Sequence, residues 1–431
     1  MLTLTGVPSR INRVGFSFEE GPAKIGGSAS VKSVTVTVRC PFTQFPVDSD
    51  CREAIAKPHV TMATSPTNKR SAIKNLLKGS MKVPSQSPAF AASSSSSEKG
   101  NHMRSEEKEK DVEGFLDSLI DGEYSRWQFK RLNQLQATRE AQEEQTYSIQ
   151  AGKNAMKYEL NRYTNILPYD YSRIRLIPTS TEYTKSVDYI NASEVYTPGK
   201  HRRYIATQGP KDNTVDDFWR MVWDNVSSSS DDRVTTIIML TQLVEGRSRK
   251  CAQYWPEQVG RHFDIRYRTM TKQDITLNVR LVSQTKDSES DAVISTIELS
   301  AIDGGSDTNP NYTIKHMLYK GWKDMDIPES TDTFLNYFRL YRQLHTSSAS
   351  PVVHCSAGCG RTGVFIALDY LFTKVPSMTK DEILTDPVFH TVDEIRKWRG
   401  NMVFRPGQLQ FVYDLFREMV LGKLRMPEIH G

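Results

Sequence analysis

A chain of 431 residues has room for one large domain with an extension, or for two modest domains. Hydrophobic residues make up 38% and charged residues 25%, enough for a buried core over part of the length. A net charge of +5 suits an anionic substrate and argues against the basic coat of a nucleic-acid binder.

The first residues lack the basic start and apolar core of a secretory signal, and no apolar run approaches the ~20 residues of a membrane helix. Composition shifts near residue 110. Upstream, Ser-, Pro- and Lys-containing stretches and the run Ser93–Ser97 bury too little apolar surface to offset chain entropy, so residues 1–110 are expected to form a largely disordered extension. Val34, Val36 and Val38 alternate with polar residues like a lone strand. Lys69-Arg70 followed by Ile73, Leu76 and Leu77 is a candidate kinase-docking segment, with Ser65-Pro66 and Ser87-Pro88 as phosphorylation sites; a solvated linker is the alternative. The five cysteines, Cys40, Cys51, Cys251, Cys355 and Cys359, form an odd set without a pairing framework, which points to reduced thiols in the cytoplasm. For Cys40, Cys51 and Cys251 simple packing is the expectation.

From residue 112 the pattern becomes that of a folded domain. Phe115, Leu116, Leu119 and Ile120 share a helical face, and Trp127, Phe129, Leu132 and Leu135 continue an apolar-periodic segment. The continuous apolar run 234–240 suits a strand covered on both faces. Residues 263–270, 275–284 and 292–302 alternate like antiparallel hairpin strands, while 214–225, 331–344, 362–372, 386–399 and 407–420 read as helices. The expectation is one α/β domain over 112–425, with a twisted mixed sheet flanked by helices.

The chemistry concentrates at Pro351–Gly363. Val352 and Val353 end a buried strand, Thr362 to Phe372 form an apolar helix, and between them lies a loop of small residues: Ser356, Ala357, Gly358, Cys359 and Gly360. A strand, tight loop and helix N-terminus aim backbone N–H groups at an oxyanion. Cys355, beside those donors and a guanidinium, is placed to attack phosphorus as a thiolate. Arg361 closes the loop, and its planar fork matches two phosphoryl oxygens. Cys359 reads as a small packing residue within the loop. The nine histidines form no ligand-spaced cluster, and the chemistry needs no metal or organic cofactor.

From His354-Cys355 through Arg361-Thr362-Gly363 the chain resembles the signature of tyrosine-specific, non-receptor-type protein tyrosine phosphatases. Further segments are similar in the same order: Asn161-Arg162-Tyr163, Tyr169 through Ile174, Asp188 through Ser193, Tyr204 through Pro210, Asp217-Phe218-Trp219, Met239 through Glu245, and Lys250 through Pro256. The resemblance implies hydrolysis of phosphotyrosine in proteins, in cytoplasmic signalling, through a phosphocysteine intermediate. It implies that Asp324, in Trp322-Lys323-Asp324, protonates the leaving tyrosyl oxygen and later activates water. Trp322 and Tyr163 would meet the substrate, Tyr163 by stacking on its ring, and Asn165 would hold the peptide backbone. Gln408 would orient water, Thr362 would bond the departing sulfur, His354 would tune the thiol, and Glu245 and Lys250 would brace the loops. Three positions depart from the family pattern: Lys323 replaces a proline, Phe404 a water-positioning glutamine, and Asn165 an aspartate. They keep open a phosphotyrosine-binding pseudophosphatase, and a dual-specificity phosphatase is a second alternative.

Overall fold

The computed structural model describes residues 111–178, 188–226, 233–303, 311–322, 327–345 and 349–427. The chain divides into two units, 1–94 and 95–431, and every described residue belongs to the second. The Val34–Val38 alternation, the docking segment, both Ser-Pro sites, Cys40 and Cys51 lie outside the described residues.

A nine-stranded sheet forms the centre, in the order β1-β2-β3-β11-β4-β10-β9-β8-β7. The flank β1 (Arg173–Arg175), β2 (Tyr189–Tyr196) and β3 (Arg203–Thr207) is antiparallel. β11 (Val352–His354) pairs in parallel with β3 and with β4 (Thr236–Met239), and β4 pairs in parallel with β10 (Asn311–Tyr319). β7 (His262–Arg268), β8 (Asp274–Asp287) and β9 (Ala292–Asp303) complete an antiparallel run onto β10. A separate two-stranded ribbon joins β5 (Val244–Glu245) to β6 (Ser248–Arg249). The mixed sheet with flanking helices is therefore the architecture the sequence pattern implies.

Strand alternation divides the core. Ala206, Ile238 and Val353 face one apolar cluster, while Ile205, Ile237, Met239 and Val352 face the other. The first cluster takes helices α4 (Thr331–Leu344), α5 (Gly360–Lys374), α6 (Lys380–Leu384), α7 (Pro387–Trp398) and α8 (Pro406–Val420). Phe218, Trp219, Met221 and Val222 of another helix, Val215–Val226, fill the second. β3, β11 and β4 are central and buried on both faces, so the loop leaving β11 starts from a strand paired on both sides.

One charge sits deep in this core. Asp369 interrupts apolar α5 and accepts from Arg202 at 3.0 Å, Arg342 at 3.0 Å, Tyr204 at 2.8 Å and Tyr341 at 3.2 Å. Burial alone would raise its pKa, but the two guanidinium groups outweigh that and hold it below the ordinary aspartate value.

Two details of the N-terminal helical segment differ from expectation. The first helical run covers 111–118 and then turns, so Leu116 and Leu119 are buried while Ile120 is 60% exposed. Trp127, on the helix Glu123–Gln142, is 56% exposed instead of joining Leu132 in the core. Arg131 stands over its ring at 5.7 Å, and over Phe389 at 4.5 Å.

Candidate active site

The loop after β11 is shaped by residues that cannot carry a larger side chain. Gly358 has φ +71°, and a Cβ there would lie 2.2 Å from the Thr207 carbonyl oxygen. A Cβ on Gly363 would lie 2.4 Å from the Val403 nitrogen. Gly358 can therefore turn its N–H inward, where it donates to Cys355 Sγ at 3.2 Å. The thiol of Cys359 points away from this nest toward the Gly400 carbonyl at 3.4 Å, and burial pushes its pKa up to about 11. That suits a packing residue.

Arg361, 2% exposed, is held as a plane. Its two terminal nitrogens donate to the two carboxylate oxygens of Glu245 at 2.6 Å each, and one also donates to the Leu240 carbonyl at 2.8 Å. Glu245 is fixed in turn by the Thr241 hydroxyl at 2.8 Å and the Gln242 N–H at 3.2 Å. On the opposite side of the loop, the Ser356 hydroxyl donates to the Lys250 carbonyl at 3.1 Å, so the Tyr163 hydroxyl, 2.9 Å away, donates to Ser356. This fixes the Tyr163 ring beside the loop. Asn165 is exposed two residues farther on.

The family model described as protein-tyrosine phosphatase matches residues 157–418, more than half of the chain. The chain belongs to the protein-tyrosine phosphatase family. Human tyrosine-protein phosphatase non-receptor type 20 is 33% identical over 276 residues, covering 64% of this chain and 57% of that protein. Human receptor-type tyrosine-protein phosphatase alpha is 32% identical over 276 residues, 64% of this chain and 31% of that protein. Tyrosine-protein phosphatase 1 of Schizosaccharomyces pombe is 33% identical over 282 residues, 63% and 46%. The chain thus matches less than two thirds of the length of each of these relatives. Among solved structures, the catalytic domain of human protein tyrosine phosphatase non-receptor type 18 superposes with TM-score 0.57 at 27% identity, covering 72% of this chain and 99% of that one. A structure of that phosphatase with HER2 phosphopeptides gives TM-score 0.58 at 25% identity, covering 73% and 99%.

Against the roles implied by the protein tyrosine phosphatase resemblance, the remaining residues divide. Gln408 is buried, accepts the Phe404 N–H at 3.0 Å, and lies so close to Gly360 that a Cβ there would be 2.9 Å from its oxygen. Thr362 is buried and its hydroxyl has no hydrogen-bond partner, so no bond to the Cys355 sulfur is formed here. Lys250 contributes its backbone carbonyl. Trp322 is 1% exposed and packs edge-to-face on Phe334. A bridge between Trp322 and Pro328 brackets the segment that holds Asp324 and Lys323, which lie outside the described residues.

Two arginines to which the sequence assigned no role also hold the site. Arg399, buried just after α7, donates to the carbonyls of Gly358 at 2.8 Å and Ala357 at 3.1 Å, and to Asn191 and Ser193. By holding those carbonyls outward it keeps the N–H groups of the loop pointing in. Arg162 donates to the carbonyls of Gly209 at 3.0 Å, Pro210 at 2.7 Å and Arg249 at 3.3 Å, tying the Tyr163 segment to the loops behind it. A cation with carbonyl partners leaves no ion-pair spacing to read in a sequence. The turn after α7 also places Val403 at φ +57°, with its N–H on the Cys359 carbonyl at 3.2 Å. Among the described residues no three His, Cys, Asp or Glu side chains are grouped to hold a metal, and no helix is long and apolar enough to cross a membrane.

Proposed function

We propose that this chain hydrolyses phosphotyrosine in proteins through a phosphocysteine intermediate on Cys355. One observation carries the reading: the Cys355 sulfur accepts an inward N–H from a loop closed by a buried, bidentately anchored Arg361. The thiolate attacks phosphorus, forming the S–P bond as the tyrosyl O–P bond breaks, and Asp324 gives its proton to the departing oxygen. Water, oriented by Gln408 and deprotonated by Asp324, then releases phosphate and regenerates the thiolate. Arg361 and the N–H groups of Ser356 through Gly360 hold the equatorial oxygens, and the unpartnered Thr362 hydroxyl receives the departing sulfur in the second step. Tyr163, anchored through Ser356, sets a depth that a phosphoserine cannot span. Asn165, exposed beside it, contacts the peptide backbone more weakly than a carboxylate would.

Turnover of an aryl phosphate, lost in Cys355→Ser, tests this reading; a protein that binds phosphotyrosine peptides without turnover would be the pseudophosphatase instead. Equal rates on phosphotyrosine and phosphothreonine peptides would favour dual specificity. A role in cytoplasmic signalling is supported by the thiols of Cys251, Cys355 and Cys359, all free, and is checked by fractionation of cells expressing the full chain. Kinase docking through Lys69–Leu77 is a separate reading, supported by its basic-then-apolar pattern; a pull-down in which 1–110 retains no kinase would remove it.

A further inference from the structure

The two edges of the nine-stranded sheet differ. β1 is three residues long, which blunts it as a template for a further strand. β7 runs for seven residues, His262–Arg268, and among the described residues only β8 pairs with it. At either end of β7 the odd-numbered residues make the ladder bonds. Leu281 N–H donates to the Arg261 carbonyl at 3.0 Å, and Thr269 N–H donates to the Gln273 carbonyl at 2.9 Å. The register of β7 on β8 continues these pairs, so Phe263, Ile265 and Tyr267 turn their N–H and C=O groups toward β8. His262, Asp264, Arg266 and Arg268 turn theirs outward.

Side chains alternate as well. Ile265 is buried, with Phe263 and Tyr267 packed on the same apolar cluster, while His262, Asp264 and Arg266 are exposed. The open backbone groups and the exposed charges thus belong to the same residues. Asp264 accepts only from a neutral partner, the Asn278 amide at 2.8 Å, whereas Arg268 is forked onto Asp274 of β8.

A strand added to this edge must suit that row, and a second copy of β7 does so when it runs antiparallel about a two-fold axis at Ile265. Asp264 then faces the partner's Arg266, Arg266 faces the partner's Asp264, and these outward-turned pairs exchange both backbone bonds. An axis at Asp264 or at Arg266 keeps the ladder in phase but sets like charge on like. An axis between residues puts open backbone groups against closed ones. The flanks agree with the axis at Ile265. Gly260 and Met270 lie equally far from it in sequence; Met270 is 65% exposed, Val259 is 57% exposed, and a Cβ at Gly260 would meet nothing within 4 Å. The partner's Met270 therefore comes down on open Gly260 beside Val259, covering two large apolar side chains that a single chain leaves in water.

We propose that the chain forms a two-fold dimer through β7, with the axis at Ile265, joining two sheets edge to edge. β7 stands five strands from β11, roughly 24 Å at the ordinary strand spacing, so each Cys355 loop stays clear of the contact.

Sedimentation of the full chain over a concentration series should show a monomer–dimer equilibrium. Asp264→Arg and Arg266→Asp should each weaken the dimer by about tenfold or more, because each change acts twice across the axis. The chain carrying both substitutions restores opposite charges and should dimerise like wild type. An equimolar mixture of the two single variants should form the heterodimer in preference to either homodimer. In hydrogen exchange, the amides of Asp264 and Arg266 should gain protection as chain concentration rises. A chain that stays monomeric up to about 0.1 mM, a dimer indifferent to both single charge reversals, or no recovery in the double variant and the mixture would overturn the proposal. Turnover of an aryl phosphate should be equal above and below the dimerisation range, so the dimer and the hydrolytic reading fail separately.

Discussion

Helix α5 carries two buried charges of opposite sign, Arg361 in its first turn and Asp369 farther along, and both engage in arginine–carboxylate pairs. Their surroundings differ. Asp369 is saturated by two guanidinium groups and two tyrosine hydroxyls, with no exposed side-chain surface, so nothing further can approach it. Arg361 is gripped along one edge by Glu245 and Leu240, beside the loop whose N–H groups converge on Cys355. One pair closes the interior; the other holds a cation in a fixed plane next to a nest for an anion. Burial of charge marks both, and only the second arrangement points to chemistry.

Removing Asp369 should break this comparison most visibly. Asp369→Ala strands Arg202 and Arg342 without their carboxylate and should cost about 3–5 kcal/mol of stability by denaturant unfolding. Activity per folded molecule should stay near wild type. A comparable loss of kcat in the folded fraction would show that the two clusters are coupled. Arg361→Lys keeps a charge near Glu245 but loses the planar fork, so kcat should fall on the order of 10²–10³-fold with a small change in melting temperature.

Acid titration sharpens the same contrast. The folded pKa of Asp369 lies below its ordinary value, so the stability it adds is fully present above the unfolded pKa of about 3.9 and is lost as pH falls through the lower folded value. Wild type should shed this increment only below about pH 4, and Asp369→Asn should lack that limb of the stability–pH curve. The smallest expected effect is at Phe404. Phe404→Gln adds a second amide near Gln408 and should speed breakdown of the intermediate by less than about tenfold, read from the pre-steady-state burst.

The phosphate loop was legible because its chemistry is local: nucleophile, glycines and arginine lie in one uninterrupted string, and the flanking valines and apolar helix declare their partners. The hairpin strands were legible from alternation, which survives as long as one face is buried. Ile120 was misplaced because a helical period says nothing about where the helix stops; the chain turns after residue 118. The packing of Trp322 against Phe334 was not legible, because its partner lies on the next helix and no local motif declares it. Asp369 did carry a signal, a carboxylate inside an apolar helix, but its partners come from β3, α4 and the residue before β3. The grouping of His316 and His354 around the Tyr254 hydroxyl carried none. It exists only because β4 pairs in parallel with both β10 and β11, which sets two distant histidines on either side of one tyrosine.

The carbonyl of Cys359 receives two amides, from Gly363 at 2.8 Å within α5 and from Val403 at 3.2 Å across the turn. Neither N–H can reach solvent without releasing that shared acceptor, and both are packed where no extra carbon would fit. In deuterated buffer the two amides should therefore exchange together and late, as one cooperative unit. Slow exchange there would mean that the anion cradle is assembled before any ligand arrives, so ordering it takes nothing from the free energy of binding.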